Sequence, residues 1–234
     1  MSEKKPSYGI YSPGVLGVLI FAIIGCFFLY LLFNDMIIRN IITITVIALA
    51  IVIGLIFYGS STPLRVKRSE LLVEFASPKE DSLMLDVGTG RGLVAIKLAK
   101  ACKNCKVIGI DTWSPVTVSG VSGNTMENAQ RNAKLEKVSR KVKFQQADAR
   151  KIPFEKNTFD LVAAHEVLDT LIVGRDEVLS EIYRVLKRGG KFVFSTAVVK
   201  HYLVWRSSKL GFKKYQYMRL GIREGPSTFV LCRK

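Results

Sequence analysis

The sequence predicts an α/β protein: a doubly wound, mostly parallel seven-stranded sheet with a C-terminal antiparallel hairpin, preceded by two transmembrane helices. Two long uncharged apolar runs lie within residues 1–60, whereas the rest of the chain alternates short apolar runs with amphipathic ones. Hydrophobic residues make up 49% of the chain although its formal net charge is +16. We therefore divide the chain into a membrane anchor (1–61), a juxtamembrane amphipathic helix or linker (62–78) and an α/β domain (79–234).

The anchor is predicted from the apolar runs 14–33 and 41–59, each long enough to cross a bilayer as a helix. A cleaved signal peptide would have a shorter apolar region than the first run. Only Arg39 is basic between the runs, whereas several basic residues flank the pair: Lys4, Lys5, Arg65, Lys67 and Arg68. The positive-inside bias thus predicts a multi-pass protein of the cell membrane, with both termini and the α/β domain in the cytoplasm.

Residues 63–76 predict a short helix with Pro63 in its first turn. Four apolar residues would share one face of it: Leu64, Leu71, Leu72 and Phe75. Two interpretations remain open. The helix lies on anionic lipid headgroups, or it links the anchor to the domain by packing on the sheet.

The α/β domain is predicted from five short apolar runs that alternate with helical patterns. The strands are 82–88, 106–111, 142–147, 159–164 and 191–198, and the helices are 93–102, 124–137 and 175–187. Asn124 and Glu127 resemble a capping box at the second helix, and Gly189-Gly190 is expected to end the third. After Lys200 we expect one short helix and a terminal hairpin around Gly225-Pro226.

Cys102 and Cys105 form a C-x-x-C pair, a spacing found in redox and zinc sites. A zinc site needs four ligands, and the histidines His165 and His201 are distant in sequence. We therefore expect no metal site and two free thiols at the end of a helix.

The most informative segment is Asp86-Val87-Gly88-Thr89-Gly90-Arg91-Gly92, between the first strand and its helix. Glycines at such a turn permit positive φ and close approach of a ligand, and the helix N-terminus offers free N–H groups. Dinucleotide-binding enzymes use G-x-G-x-x-G, but here Leu93 stands at the third glycine position. Asp86 within the loop and Asp148 after the third strand also separate the two patterns.

This segment resembles the first motif of the class I S-adenosylmethionine-dependent methyltransferases. The resemblance extends over roughly residues 80–234, and it is greatest to the small-molecule and lipid branch. I-P-F-E-K-N-T-F-D-L-V resembles the approach to the fourth strand, and E-I-Y-R-V-L-K-R-G-G-K-F-V-F resembles the helix, turn and fifth strand. The resemblance implies S-adenosylmethionine as the cofactor.

The resemblance also implies roles for single residues. The loop 88–92, with Gly88, Thr89, Gly90 and Gly92, would hold the methionine part of the cofactor, and Asp86 would fix the loop. The remaining cofactor contacts would be Asp111 to the ribose hydroxyls, Thr112 and Trp113 to the adenine, Asp148 and Ala149 beside the adenine amine, and His165 after the fourth strand. Alternatively, Trp113 packs in the core of the domain. The loop 113–125 would cap the cofactor or shape the entry of the substrate.

Some motifs of particular branches of the family are absent from this sequence, and their absence restricts the methyl acceptors that we expect. A-A-H-E follows the fourth strand in place of N-P-P-Y or D-P-P-Y, which argues against methylation of adenine or of a glutamine amide. The chain has no Pro-Cys dipeptide, so the covalent route to 5-methylcytosine lacks its nucleophile. Where the acceptor must lose a proton, His165 and Glu166 are the candidate catalytic residues, with Asp169 as an alternative. His165 has a packing or cofactor-contact role as its alternative.

Residues 200–234 are strongly basic, with Glu224 as the only acidic residue. We expect this face to meet anionic lipid headgroups rather than nucleic acid, because the anchor already holds the domain at a membrane. A solvated basic face without a partner is the alternative. The predicted function is methyl transfer to a membrane-associated lipid, quinone-like or amphipathic small molecule. The alternatives are a protein methyltransferase acting at the membrane, a non-catalytic cofactor-binding membrane scaffold, and a dehydrogenase.

Overall fold

The computed structural model describes residues 5–8, 13–33, 35–59, 62–114, 123–171, 173–197, 199–221 and 227–234. Most of the predicted loop 113–125 and most of the turn around Gly225-Pro226 therefore lie outside the described residues. The helices are α1 (Pro13–Leu32), α2 (Met36–Gly59), α3 (Thr62–Ala76), α4 (Leu93–Ala101), α5 (Met126–Leu135), α6 (Arg175–Val185) and α7 (Lys200–Leu210). The strands are β1 (Leu83–Val87), β2 (Lys106–Asp111), β3 (Val142–Gln146), β4 (Phe159–Ala164), β5 (Leu186–Thr196), β6 (Lys213–Arg219) and β7 (Thr228–Arg233).

The two apolar runs form helices α1 and α2, which pack against each other. Helix α2 begins before its predicted run because Asp35 caps it: Oδ1 accepts the N–H groups of Ile37 (2.8 Å) and Ile38 (3.0 Å). Among the described residues, Met36–Gly54 is long and apolar enough to cross a membrane, and Ile20–Leu32 is an apolar stretch below that length. The anchor of two spans therefore stays a prediction.

The sheet is mixed and seven-stranded, as predicted, and its strand order is β3-β2-β1-β4-β5-β7-β6. Neighbouring strands from β3 to β5 are parallel, and β7 lies antiparallel between β5 and β6. Because β1 pairs with β2 on one side and β4 on the other, the helices that follow β1 and β4 diverge to opposite faces of the sheet. A crevice forms at such a switch point, beyond the carboxyl ends of the strands.

Each face of the sheet carries its own apolar core. One core packs α3 and α4 on the sheet through residues such as Leu72, Met84 and Leu98. The other packs α6 and α7 through residues such as Ile182 and Leu203. All five of these side chains have no exposed surface. The two layers of helices thus hold the carboxyl edge of the sheet in a fixed position.

Helix α3 is an integral layer of the domain. Leu72 and Ala76 are completely buried, and polar residues on the same face are buried too: Arg65, Arg68 and Ser69. Leu71 and Phe75 are partly buried against the core that includes α4. These contacts favour the interpretation in which the helix packs on the domain.

Three local predictions need correction. Helix α6 ends at Val185 rather than Lys187, and Gly189-Gly190 lies within β5, since Leu186 takes an extended conformation and pairs with Phe159. Helix α5 begins at Met126, and its N-cap is Thr125 rather than the predicted Asn124. Cys102 and Cys105 are joined by a disulfide rather than being free thiols, because the end of α4 brings their Cα atoms to 5.9 Å.

We expect Leu72→Ala to lower the free energy of unfolding by about 2–5 kcal/mol, because it leaves a cavity beneath a fully buried side chain. Urea unfolding of the full chain in detergent, followed by near-ultraviolet circular dichroism, measures the change. Lys67→Ala, on the exposed side of the same helix, serves as the control. A Leu72→Ala variant as stable as this control would contradict the packing of α3 on the domain.

Candidate active site

A cavity of about 220 Å³ lies at the carboxyl edge of β1, β2 and β4. Its wall brings together most of the residues predicted as a site: Asp86, Gly88, Thr89, Gly90, Asp111, Thr112, Asp148, Ala149, His165 and Glu166. Gly92 and Trp113 are not in the wall. Tyr8 and Arg65, which were not predicted, also line it, together with Arg91 of the predicted loop 88–92 and Ser114 and Asn124 of the predicted loop 113–125. The contacts of the predicted residues with a cofactor stay predictions.

The three loop glycines have different reasons to be glycine. All have positive φ, at 68° for Gly88, 55° for Gly90 and 82° for Gly92. A Cβ on Gly88 would lie 2.3 Å from Val167 Cγ2, and one on Gly92 would lie 2.7 Å from Phe144 Cζ. The nearest atom to a Cβ on Gly90 is Asn124 Oδ1, at 3.6 Å. Packing therefore excludes a side chain at positions 88 and 92, whereas Gly90 leaves open space on the cavity side.

Asp86 ties the loop to the helix that follows it. Its side-chain Oδ2 accepts hydrogen bonds from the Thr89 hydroxyl (2.7 Å) and from the Ala95 N–H in the first turn of α4 (3.0 Å). Burial raises the pKa of this carboxyl to about 7, against the lowering effect of those two hydrogen bonds. The contacts support the predicted role of Asp86 in fixing the loop.

Asp111 connects the end of β2 to the same loop. Its Oδ2 accepts the Gly90 N–H and its Oδ1 accepts the Trp113 N–H, both at 2.9 Å. A carboxylate oxygen has two lone pairs, so Asp111 keeps acceptor capacity for the hydroxyls of a ribose. The Trp113 indole N–H donates to the Gly90 C=O (2.9 Å), which holds the ring against the loop.

Asp148 is engaged by a residue that sequence reasoning missed. Arg150 donates to its carboxylate through the backbone N–H (2.8 Å) and through Nε (2.9 Å to Oδ2). The side-chain hydrogen bonds from Arg150 lower the pKa of Asp148. An arginine two residues after the predicted acid was the available signal. Asp148 thus presents to the cavity a carboxylate that is already paired.

His165 is buried directly after β4. Its Nδ1 lies 2.9 Å from Ser195 Oγ, and its Nε2 lies in the cavity wall without a hydrogen-bond partner among the described residues. Burial is the main cause that lowers the pKa of His165 to about 4; the charge of Glu166 opposes this effect, and the nearby Arg68 and Arg65 add to it. The ordinary pKa of histidine, on which the prediction of a base depended, therefore does not apply here. At neutral pH the ring is a neutral acceptor or donor.

Glu166 is held by two arginines from α3. Arg68 Nη1 lies 2.9 Å from its Oε1, and Arg65 Nε lies 3.9 Å from its Oε2. Burial would raise the pKa of Glu166, but His165, Arg68 and Arg65 together lower it. Because His165 is neutral at neutral pH, the arginines keep the carboxylate charged. Asp169, the alternative acid, instead accepts from the Thr196 hydroxyl (2.7 Å) and does not line the cavity.

The cavity wall fits the cofactor that the sequence implies. Two buried polar atoms in the wall, Asn124 Oδ1 and His165 Nε2, have no hydrogen-bond partner within the described part of the chain. A buried acceptor normally has a partner, and the ammonium group of a methionine is a donor of the kind that Asn124 lacks. Sequence reasoning missed Asn124 because it assigned the residue to the helix cap, which Thr125 provides.

Known proteins match the chain over the same region. A family model described as a methyltransferase domain matches residues 85–194. A ubiquinone/menaquinone biosynthesis C-methyltransferase of Agrobacterium fabrum is 32% identical over 53% of this chain and 45% of its own length. A sterol 24-C-methyltransferase of Kluyveromyces lactis is 34% identical over 58% of this chain and 34% of its own length. The match therefore spans less than half of each of these relatives.

Solved structures share the fold. The [4+2]-cyclase SpnF superposes with a TM-score of 0.58 at 19% identity, covering 72% of this chain and 81% of its own. A geranyl diphosphate methyltransferase in complex with S-adenosylmethionine gives 0.53 at 17% identity, covering 71% and 83%. At these identities the likeness concerns the fold alone, and one of the two structures is named for a different reaction.

We expect Asp86→Asn to remove a pH dependence from the stability of the ligand-free protein. A folded-state pKa of about 7, above the ordinary 3.8, means that ionising Asp86 costs stability, which is lost as pH rises from about 4 to about 7. Asparagine can keep both hydrogen bonds, since one oxygen accepts them. Urea unfolding should show a gain on the order of a few kcal/mol for the variant at pH 8 and little at pH 4. An equal difference at both pH values would contradict the buried charge.

The matched region contains the predicted site from Asp86 to Glu166 together with β2, β3 and β4 and most of β1 and β5. The sheet order, the glycine loop and the family match thus agree on the same residues. Residues 85–194, which hold the predicted site, match the family of methyltransferase domains.

Proposed function

We propose that this protein is a membrane-anchored methyltransferase that transfers the methyl group of S-adenosylmethionine to a membrane-associated lipid, quinone-like or amphipathic small molecule. The observation that carries the proposal is the cavity, which joins the glycine loop and Asp111 to His165 and Glu166 at one edge of the sheet. The cofactor supplies an activated methyl group on a sulfonium, and the protein supplies orientation and a dry site.

The cofactor-binding part of the proposal assigns one half of the cavity. Gly90 and Asn124 would receive the methionine part, Asp111 the ribose, and Asp148 with Ala149 the adenine. Asp86 would act through the loop, since its carboxyl is bonded to Thr89 and to helix α4. The left-handed conformation of Gly88 and Gly90 shapes this half before any ligand binds.

The acceptor would approach from the side of His165 and Glu166. Apolar side chains also line the cavity, among them Val167, Leu171 and Val178. An apolar acceptor is also the kind that the names of the quinone and sterol relatives describe. With a pKa of about 4, His165 is a weak base, so its neutral ring would orient the acceptor more than it removes a proton.

The membrane part of the proposal rests on the surface of α1 and α2. Their described residues expose a broad set of large apolar side chains: Phe21, Phe27, Phe28, Leu31, Leu32, Ile37, Ile41, Ile44, Ile47 and Ile51. Exposed apolar surface of this extent is costly in water and stable in hydrocarbon. We propose that both helices span the cell membrane with the termini and the domain in the cytoplasm. The basic segment 200–234 would then face anionic headgroups.

For the anchor, we expect the full chain to stay in the membrane fraction after washing at alkaline pH in carbonate, because apolar burial in lipid does not depend on charge. Immunoblotting of the pellet and supernatant measures this. A peripheral membrane protein of the same cell serves as the control for release. Recovery of the chain in the supernatant together with this control would contradict an integral anchor.

For the cofactor site, we expect the full chain to bind S-adenosylmethionine and not NAD in calorimetry. Asp111→Ala should weaken binding at least about tenfold, because it removes the acceptors for the ribose and a support of the loop. Glu74→Ala replaces an exposed carboxylate outside the cavity and serves as the matched control. Binding of NAD alone would refute the methyltransferase and favour a dehydrogenase.

The acceptor class is tested with S-adenosylmethionine labelled in its methyl group and native membranes. We expect the label in the lipid extract. Label in protein alone would favour the protein methyltransferase. Cofactor binding without any label in lipid, protein or small molecules would favour the non-catalytic scaffold.

A further inference from the structure

Residues 5–8, which precede the first apolar helix, return to the α/β domain; we call them the clamp segment. Asn132 of α5, which has no exposed surface, holds this segment by its backbone. Its Oδ1 accepts the Ser7 N–H (3.1 Å), and its Nδ2 donates to the Ser7 C=O (2.8 Å). The same Nδ2 donates to the Arg91 C=O in the glycine loop (3.0 Å). A completely buried amide thus joins the clamp segment to the proposed cofactor loop.

Tyr8 of the clamp segment is part of the cavity wall. Tyr8 is buried, with 4% of its surface exposed, and it belongs to the same core cluster as Leu93 and Val94. The Tyr8 hydroxyl donates to Glu136 Oε1 (3.0 Å). Burial and the charge of Glu136 raise the pKa of Tyr8, so the hydroxyl keeps its proton at neutral pH. The ring is therefore fixed at both its backbone and its hydroxyl end.

Arg65 connects the clamp segment to the other half of the cavity. Its Nη1 donates to the Tyr8 C=O (2.7 Å), and its Nε lies 3.9 Å from Glu166 Oε2. Both Arg65 and Glu166 line the cavity. The clamp segment is thus bonded to α5, to the glycine loop through Asn132, and to the residues after β4 through Arg65.

We infer that the clamp segment closes the S-adenosylmethionine cavity, with Tyr8 as a wall residue of the binding site and Asn132 as the positioning residue that holds it. This inference rests on the proposed function and deepens it by adding residues to the same site. The clamp segment precedes α1 in the sequence, whereas the α/β domain follows α2. Residues from before the helix pair therefore complete the cavity. Cofactor retention therefore depends on residues outside the region 85–194 that the family model matches.

The test measures S-adenosylhomocysteine binding to the full chain in detergent, by calorimetry for affinity and by stopped flow for dissociation. Tyr8→Ala removes the wall residue, and Ser7→Pro removes the N–H that Asn132 accepts without touching the sheet. Each should weaken affinity at least about tenfold, mainly through faster dissociation. Tyr8→Phe, which loses only the bond to Glu136, should weaken it less than Tyr8→Ala.

Tyr217→Ala, at an exposed tyrosine of β6, is the matched control and should bind as the unaltered chain does. Leu72→Ala, which also removes a buried side chain but lies outside the cavity, separates closure from folding: at a similar fall in the ligand-free melting temperature it should bind more tightly than Tyr8→Ala. Tyr8→Ala and Ser7→Pro variants that bind normally would overturn the inference and leave the proposed function standing. A Leu72→Ala variant that loses as much affinity as Tyr8→Ala would also overturn it. An unaltered chain that fails to bind would refute the proposed function as well.

Discussion

The buried carboxyl of Asp86 is the group on which the geometry of the site depends. It lies near the end of β1, just before the glycine loop, and one of its oxygens accepts hydrogen bonds from Thr89 in the loop and from Ala95 in the first turn of α4. Helix α4 has Gly92 at its N-cap, without a side-chain cap of its own. Asp86 therefore supplies from the neighbouring strand the acceptor that a capping residue usually supplies. The strand, loop and helix are held in one arrangement, at the cost of a carboxyl buried beside Asp111.

Charged and neutral side chains are distributed unevenly around the cavity, and burial strongly affects which protonation state each one takes. Asp86 and His165 are both buried, and burial favours the neutral form of each. Glu166 is buried as well, yet it stays charged because two guanidinium groups from α3 lie beside it. Helix α3 thus contributes the electrostatics of the acceptor side, although it lies before the α/β domain in sequence. This contribution agrees with its packing as a layer of the domain.

Local patterns sufficed to predict the strands around the site, because the apolar runs at β1, β2 and β4 are short and end at turn residues. The same patterns gave wrong helix ends. Leu186 pairs with Phe159 in the sheet instead of continuing α6, and Thr125 rather than Asn124 caps α5. Tyr8 and Asn132 meet the site only through long-range folding, so no motif near either residue indicates a role. The predicted base, His165, was judged by its ordinary pKa, and only burial shows why that value changes.

The hydrogen bonds of Ser7 with Asn132 make the α/β domain discontinuous in sequence. During synthesis the clamp segment leaves the ribosome before the two apolar helices and long before α5. The two apolar helices are synthesised between them, so the clamp segment can dock only after α5 has formed. Docking then closes a long loop, which costs conformational entropy. Its docking is therefore a late event in folding. A shortened chain that starts at α3 would keep all seven strands and every motif residue, but its cavity would lack Tyr8.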